Sequence, residues 1–397
     1  MFCGNELFNN SVSISLHDLL KKSPDNKAIG EAFVITWSKL KQYQKIVCSV
    51  SGGSDSDVLL DLIVRCDTER KVTYVFFDTG IESAATKEHL NELEKKYGIT
   101  IVRLRAKKTV PAVCREHGQP FLNKRVSENI SRLQSHNFQW EDEPIEILLE
   151  KYCQKPDEKK YLELETLRIE TGVTYVRPWT YRNGTWYSGC VASLEWWCNC
   201  TKGGGKKSQC NISHNKWLKE FMIENPPTHN ISSKCCKYAK KDVIHDYIKE
   251  QGFDLNIFGV RKAEGGVRAT SYRSCFTHDS DEKCDEYRPI FWFKNDDKEL
   301  YNQYYGLENS RCYSCYGLTR TGCIGCPMSP NLERELEVFQ KYEPKLYQAV
   351  SNIFHDSYAY LRSYRAYAKK KNLEEKARKK DLSLNGCHQL TFYDLFF

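Results

Sequence analysis

The stretch IVCSVSGGSDSDVLLDLI, residues 46–63, constrains this chain more than any other. Ile46 to Val50 read as a strand. Val58, Leu59, Leu62 and Ile63 recur at helical spacing, so a helix is expected from Asp55 to Val64. Between them Ser51, Gly52, Gly53, Ser54, Asp55 and Ser56 form a turn. Its two glycines let backbone amides face one point without a side chain in the way. Convergent amides at the positive end of a helix make an anion cradle. Ser54, Asp55 and Ser56 are equally suited to capping that helix with no ligand present. No Gly-Lys-Ser/Thr follows at the Walker spacing, so this is another kind of phosphate loop.

The same alternation continues downstream. KVTYVFFDTG reads as a strand and turn, AATKEHLNELEKKYG as a helix ended by Gly98, and ITIVRLRA as a strand. KKDVIHDYIKEQGFDLNIFGV repeats the helix-then-strand pattern. The expected fold is α/β, a doubly wound and mostly parallel sheet. Ligands bind such sheets beyond the carboxyl ends of the strands, where Ser51–Ser56 and Asp78–Glu82 fall. The domain reading is 1–135 as the first part of a phosphate-loop domain and 136–230 as an aromatic-rich insertion or subdomain. Residues 231–330 then complete the domain with a cysteine-rich segment, and 331–397 form a helical, basic C-terminal extension. The insertion carries Trp140, Trp179, Trp186, Trp196, Trp197 and Trp217.

Four segments in order carry a family resemblance. Ser51-Gly-Gly-Ser-Asp-Ser56 resembles the SGGxDS signature of the PP-loop ATP-pyrophosphatases, which bind the pyrophosphate end of ATP. DTGIE at 78–82 is similar to the DTG turn of the phosphoadenosine phosphosulfate (PAPS) reductase family within that superfamily. GVRKAEGGVRA resembles that family's G-x-R-x-x-E-S-x-x-R segment through Gly259, Arg261, Glu264 and Arg268, with Gly265 where serine is expected. PIFWFKNDD resembles its P-I-x-x-W segment, with Trp292 one residue early. The resemblance implies an adenine nucleotide alpha hydrolase-like sheet binding ATP, or a sulfonucleotide (APS or PAPS), with Mg²⁺. The expected nucleotide contacts are Ser51 to Ser56, Asp78, Thr79, Gly80, Gly259, Arg261 and Glu264, with Asp55, Arg261 and Arg268 in catalysis. Arginine forks suit bidentate grip of phosphate or sulfate. Asp78 reads either as a ligand of Mg²⁺ or a ribose hydroxyl, or as a turn cap. Lys107 and Lys108 read as phosphate-neutralising or as solvated surface.

Eighteen cysteines are many for a chain with no secretory signal in its first residues, which turns attention to metal or redox use. Cys48 and Cys66 sit in apolar patterns and read as core residues. Cys235-Cys236 and Cys323-x-x-Cys326 resemble the paired ligands of a [4Fe–4S] cluster in adenylylsulfate reductases, and a cluster requires four such thiolates. Cys312, Cys315, Cys323 and Cys326 alternatively have the spacing of a structural zinc site. A separate zinc site from Cys275, Cys284, Cys312 and Cys315 beside the cluster is a third arrangement.

Two chemistries follow. In the favoured one ATP is cleaved between its α and β phosphates in sulfur transfer, with nucleic-acid thiolation as one outlet. In the alternative, APS or PAPS is reduced to sulfite, which needs a mobile thiolate; Cys387 beside His388 is the C-terminal candidate. A nucleotide-sensing module without catalysis is a further alternative. The partners are an adenylyl nucleotide and a sulfur donor or thiol reductant. A net charge of +7, a basic tail and the tryptophan-rich insertion also admit nucleic acid. No apolar run is long enough to cross a bilayer, so no membrane partner and a cytoplasmic location are expected.

Overall fold

The computed structural model describes residues 15–153, 179–182, 185–201, 211–265, 271–278 and 284–393, with backbone alone for 179–182, 185–188 and 380–393. The chain divides into two compact units. The first comprises Met1–Val113, Cys236–Cys326 and Asn331–Asn352, and the second Cys114–Cys235, Pro327–Pro330 and Ile353–Phe397.

In chain order the strands are β1 (Ile46–Ser49), β2 (Val72–Asp78), β3 (Ile101–Arg105), β4 (Trp179–Arg182), β5 (Thr185–Ser188), β6 (Leu255–Phe258), β7 (Phe276–Thr277) and β8 (Asp285–Tyr287). Six of them form the sheet of the first unit, in the order β3-β2-β1-β6-β8-β7. Every pairing is parallel except β7 with β8. Ile46 pairs with Val72 on one side and Leu255 on the other, so β1 is central. Successive side chains leave a strand on opposite faces. Ile46 and Cys48 accordingly enter one core with Leu59, Tyr74, Ile257 and Tyr301, while Val47 enters a second with Val75, Phe253 and Cys284. A sheet covered on both faces is the doubly wound arrangement expected. Burial pushes the thiols of Cys48 and Cys66 up, as befits inert core residues.

Helices α1 (Leu16–Lys21), α2 (Lys27–Gln42), α3 (Ser54–Cys66) and α4 (Ala84–Tyr97) belong to this unit. The α3 helix buries Val58, Leu59, Leu60, Leu62 and Ile63, the periodicity from which it is predicted. Its buried Asp61 accepts from Arg65, Tyr97 and Tyr301, which satisfies a carboxylate that water cannot reach.

The second unit holds the β4–β5 hairpin and the helices Lys124–Ser135, Ile145–Tyr152, Gly189–Cys198 and Leu218–Glu224. Three of the tryptophans of the aromatic-rich insertion are buried. Trp140, Trp196 and Trp197 are 7%, 2% and 0% exposed. Phe138 contacts Trp140 and Trp197 at 5.5 and 5.4 Å between ring centroids, so these rings are core. Trp217 donates its indole N–H to Asn372 at 3.0 Å. The side chains of Trp179 and Trp186 lie outside the described residues. The C-terminal extension is helical as expected, ending in the long helix His355–Tyr393. Its Tyr360, Tyr364 and Tyr367 pack on Phe221 at 5.1–5.5 Å. Cys387 and His388 belong to the backbone of that helix.

Candidate active site

The glycine loop leaves β1 and enters α3 with Gly53 as the residue before the first helical turn. Gly52 adopts a φ of +66°, a conformation that side chains resist. The Ser51 amide donates to Ser56 Oγ at 2.8 Å. The Ser54 amide donates to the Tyr313 hydroxyl at 3.1 Å. A Cβ on Gly53 would stand 2.8 Å from Thr321 Oγ1 and 3.4 Å from the Tyr313 hydroxyl. Close approach of another protein segment therefore demands glycine here, a reason invisible in the loop's own sequence.

Asp55, in the first turn of α3, receives Arg261 Nε at 2.8 Å on one oxygen and Lys298 Nζ at 2.8 Å on the other. Burial works against its charge, but hydrogen bonds with Glu264, Arg261 and Lys298 hold the carboxyl down at about 2. Arg261 is itself buried and also donates to Asn295 Oδ1 at 3.0 Å. Its fork is thus engaged with Asp55 and Asn295. Gly259 follows β6, and a Cβ there would stand 3.6 Å from Leu59, so the end of β6 lies close on α3. Glu264 closes the short turn Lys262–Glu264. Gly265, standing where the resembled segment has serine, has a φ of +69°. Arg268 lies outside the described residues.

The DTGIE turn faces a different neighbour. Asp78 Oδ1 accepts the Gly80 amide at 3.0 Å and lies 3.6 Å from Lys87 Nζ, which is the turn-capping arrangement. Gly80 has a φ of +85°. Glu82 accepts the Thr79 amide at 2.9 Å and the Thr79 hydroxyl at 2.5 Å. That hydroxyl also lies 3.5 Å from Cys323 Sγ. Glu82 forms an antiparallel bridge with Cys323, and the Ile324 amide donates to Ile81 O at 2.9 Å. The loop TGCIGC bends back through Gly322 and Gly325, with φ of +147° and +62°. Ser83, Thr86, Cys312, Thr321, Cys323 and Glu335 line one cavity beside it.

The half-buried Lys240 stands in this corner. Burial opposes its charge, yet Cys323, Glu82, Cys236 and Cys326 carry the ammonium above the ordinary lysine range. Burial raises the Cys323 thiol, with Lys240 opposing it. Cys236, Cys323 and Cys326 therefore share the field of one cation, and soft thiols in that setting suit an iron–sulfur cluster by donor chemistry. Cys235 is buried and immediately precedes Cys236 in the turn Lys234–Cys236. Among the described residues, no three His, Cys, Asp or Glu side chains are drawn together closely enough to hold a metal ion.

The separate zinc site is corrected. Cys275 packs at the β7 edge with the core that holds Tyr287, and Cys284 packs against Val47, Val75 and Phe253. Cys312 instead lies 3.3 Å from Ser83 Oγ and 3.5 Å from Thr86 Oγ1, while Cys315 is exposed. These four thiols serve different neighbourhoods. Lys107 pairs with Asp246 at 2.7 Å, and Lys108 lies over the Tyr238 ring at 5.5 Å.

Residues 45–142, which open with the glycine loop, match the family described as phosphoadenosine phosphosulfate reductase domain. That stretch is about a quarter of the chain, and over it the chain is similar to this family. Two curated relatives are similar over part of the chain. One is an uncharacterized protein of Methanocaldococcus jannaschii, 33% identical over 99 residues, or 25% of this chain and 20% of that protein. The other is adenosine 5'-phosphosulfate reductase 2 of Bacillus subtilis, 31% identical over 81 residues, or 20% of this chain and 34% of that protein. The chain thus spans about a fifth and a third of these relatives. Among solved structures, it is similar to the PAPS reductase of Candida auris in a phosphate complex, with TM-score 0.35 and 11% identity over 79% of this chain and 98% of that one. It is also similar to the U34-tRNA thiolase NcsA of Methanococcus maripaludis with its [4Fe-4S] cluster, with TM-score 0.30 and 12% identity over 85% and 80%. Likenesses this distant assign no residue a role.

Tyr313, Thr321, Lys298, Asn295 and Lys240 join the site without having been singled out in sequence. Each reaches it across a long loop or from a separate segment. The one local signal was proximity: Asn295 lies inside PIFWFKNDD, Lys298 directly follows it, Tyr313 and Thr321 lie among the cysteines 312–326, and Lys240 lies four residues after Cys236.

Proposed function

We propose that this chain, through a PAPS reductase-type domain, binds ATP or a related adenylyl nucleotide and cleaves the bond between the α and β phosphates in sulfur transfer. The observation that carries the reading is the backbone pairing of Ile81-Glu82 with Cys323-Ile324 beside the glycine loop. It ties the turn after β2 to the cysteine-bearing loop by backbone bonds, which supports reading the glycine loop and those thiols as parts of one site.

An oxygen of the acceptor attacks the α phosphorus and takes the adenylyl group, while pyrophosphate leaves with the electrons of the broken P–O bond. A sulfur nucleophile then displaces AMP from the activated atom. The loop amides and the start of α3 hold the pyrophosphate as its charge develops, a contribution of positioning and electrostatics. Arg261 and Lys298, by gripping Asp55, fix the first turn of α3 so that those amides keep their aim. Mg²⁺ near Asp78 would screen the phosphates. A [4Fe–4S] cluster held by Cys235, Cys236, Cys323 and Cys326 would supply iron to bind or pass sulfur.

The similarity to an adenosine 5'-phosphosulfate reductase supports a second reading, reduction of APS or PAPS to sulfite. Its thiolate would be Cys387. Nucleic acid is one acceptor class that the net charge and the basic helix admit, with the buried tryptophans taking no part.

Anaerobically purified protein tests these readings together. Pyrophosphate release from ATP supports the first. Sulfite release from APS or PAPS in the presence of a thiol reductant, which resolves the Cys387 thiosulfonate left when the nucleotide departs, supports the second if it is lost in Cys387→Ser; nucleotide binding without turnover leaves a sensing module. Iron content and visible absorbance should vanish in Cys236→Ser and Cys323→Ser and survive in Cys315→Ser. Iron retained by the first two variants rejects the cluster.

A further inference from the structure

The amide of Ser54 is one of the donors that the glycine loop would offer to a phosphate, and it is already taken. Its partner is the hydroxyl of Tyr313 at 3.1 Å, on the short helix Arg311–Ser314. Thr321 stands over the same turn, with its hydroxyl 2.8 Å from where a Gly53 Cβ would sit. Both residues belong to the stretch that begins with Cys312 and ends with Cys323.

We propose that Tyr313 is an internal occupant of the phosphate seat, displaced when a polyphosphate enters, and that its displacement releases the segment joining Cys312 to Cys323. The proposal rests on the reading that this loop takes phosphate. A phenol and a phosphate oxygen both accept hydrogen bonds, and one N–H lying between them cannot fully serve both. The phenol is mostly buried and burial raises its pKa, so it competes as a neutral group against a multiply charged one. Charge-assisted bonds are the stronger, so the anion wins the amide. Tyr313 must then move, and it is held in the segment by turns that include its own amide donating to Ser310 O at 2.8 Å. Release of Tyr313 therefore loosens the stretch that leads to Cys323, two residues beyond Thr321. Linkage makes the effect reciprocal: whatever orders that stretch in its present form weakens anion binding.

The test uses the full chain and two probes, inorganic pyrophosphate and ATP. Tyr313→Phe keeps the ring and removes the competing acceptor, so it should bind pyrophosphate about fivefold tighter by titration calorimetry, the scale of one neutral hydrogen bond. Hydrogen exchange of residues 310–318 should rise when pyrophosphate binds the wild type and should already be high in Tyr313→Phe. Unchanged or weaker binding by Tyr313→Phe, or exchange that falls or stays fixed in the wild type, overturns the proposal while leaving the phosphate loop standing. If neither protein binds pyrophosphate or ATP, the reading of the loop falls and this inference falls with it.

Discussion

Asp55 serves two cations from the first turn of α3, Arg261 on one oxygen and Lys298 on the other. Its carboxyl is held at about 2 against an ordinary 3.8. A depressed carboxyl stabilises the fold when ionised, so this contribution is complete above about pH 4 and is withdrawn as pH falls toward 2. Asp55→Asn should cost about 2–4 kcal/mol at neutral pH, because it leaves the buried Arg261 without its counter-charge. Urea unfolding at pH 7 and at pH 3 checks both points, since the gap between wild type and variant should narrow at the lower pH. Asp55 was legible as a loop residue, and its part as the anchor of α3 was not. Lys298 lies far along the chain, and no local pattern distinguishes its lysine from the other charges on its helix.

At the scale of elements, period-two and period-3.6 patterns made β1, β2, β3, β6, α3 and α4 legible, because each buries a regular stripe. What closes their ends was not legible. The α4 helix follows Ser83, whose side chain makes no capping bond to the helix. Glu343 does so instead, accepting the Ala84 amide at 3.1 and 3.0 Å and the Ser83 hydroxyl at 2.7 Å. A carboxylate at a helix start satisfies free amides and meets the positive end of the dipole. Glu343→Ala should therefore cost about 1–2 kcal/mol, and Glu343→Gln should recover part of it by keeping an acceptor. Equilibrium unfolding of the two variants gives the comparison; equal losses would mean that charge, not hydrogen bonding, carries the cap. The cysteine-rich stretch shows the same limit. A separate zinc site would join Cys312 and Cys315 to Cys275 and Cys284, whereas the fold sends Cys284 into an apolar core and Cys312 to the hydroxyls of α4.

Across the whole molecule, the chain changes unit at Val113, Cys235, Cys326, Pro330 and Asn352. Two of those crossings fall at Cys235-Cys236 and at Cys326-Pro327. The last stretch, from Asn331 onward, belongs to both units in turn. Its first part supplies Glu343 to α4, and its second supplies Tyr360, Tyr364 and Tyr367 to Phe221. A chain ending at Pro330 would lose the cap from one unit and uncover an aromatic that is 2% exposed in the other. Burying an aromatic side chain is worth roughly 1.5–3 kcal/mol, and a domain's net stability is only about 5–15. Truncation at Pro330 should thus weaken each unit separately. The expected signs are a lower urea midpoint, a smaller dependence on denaturant and binding of a hydrophobic dye in the absence of urea. An undiminished cooperative transition in the truncated chain would show that residues 331–397 are an appendage and that these packing contacts contribute little to either fold.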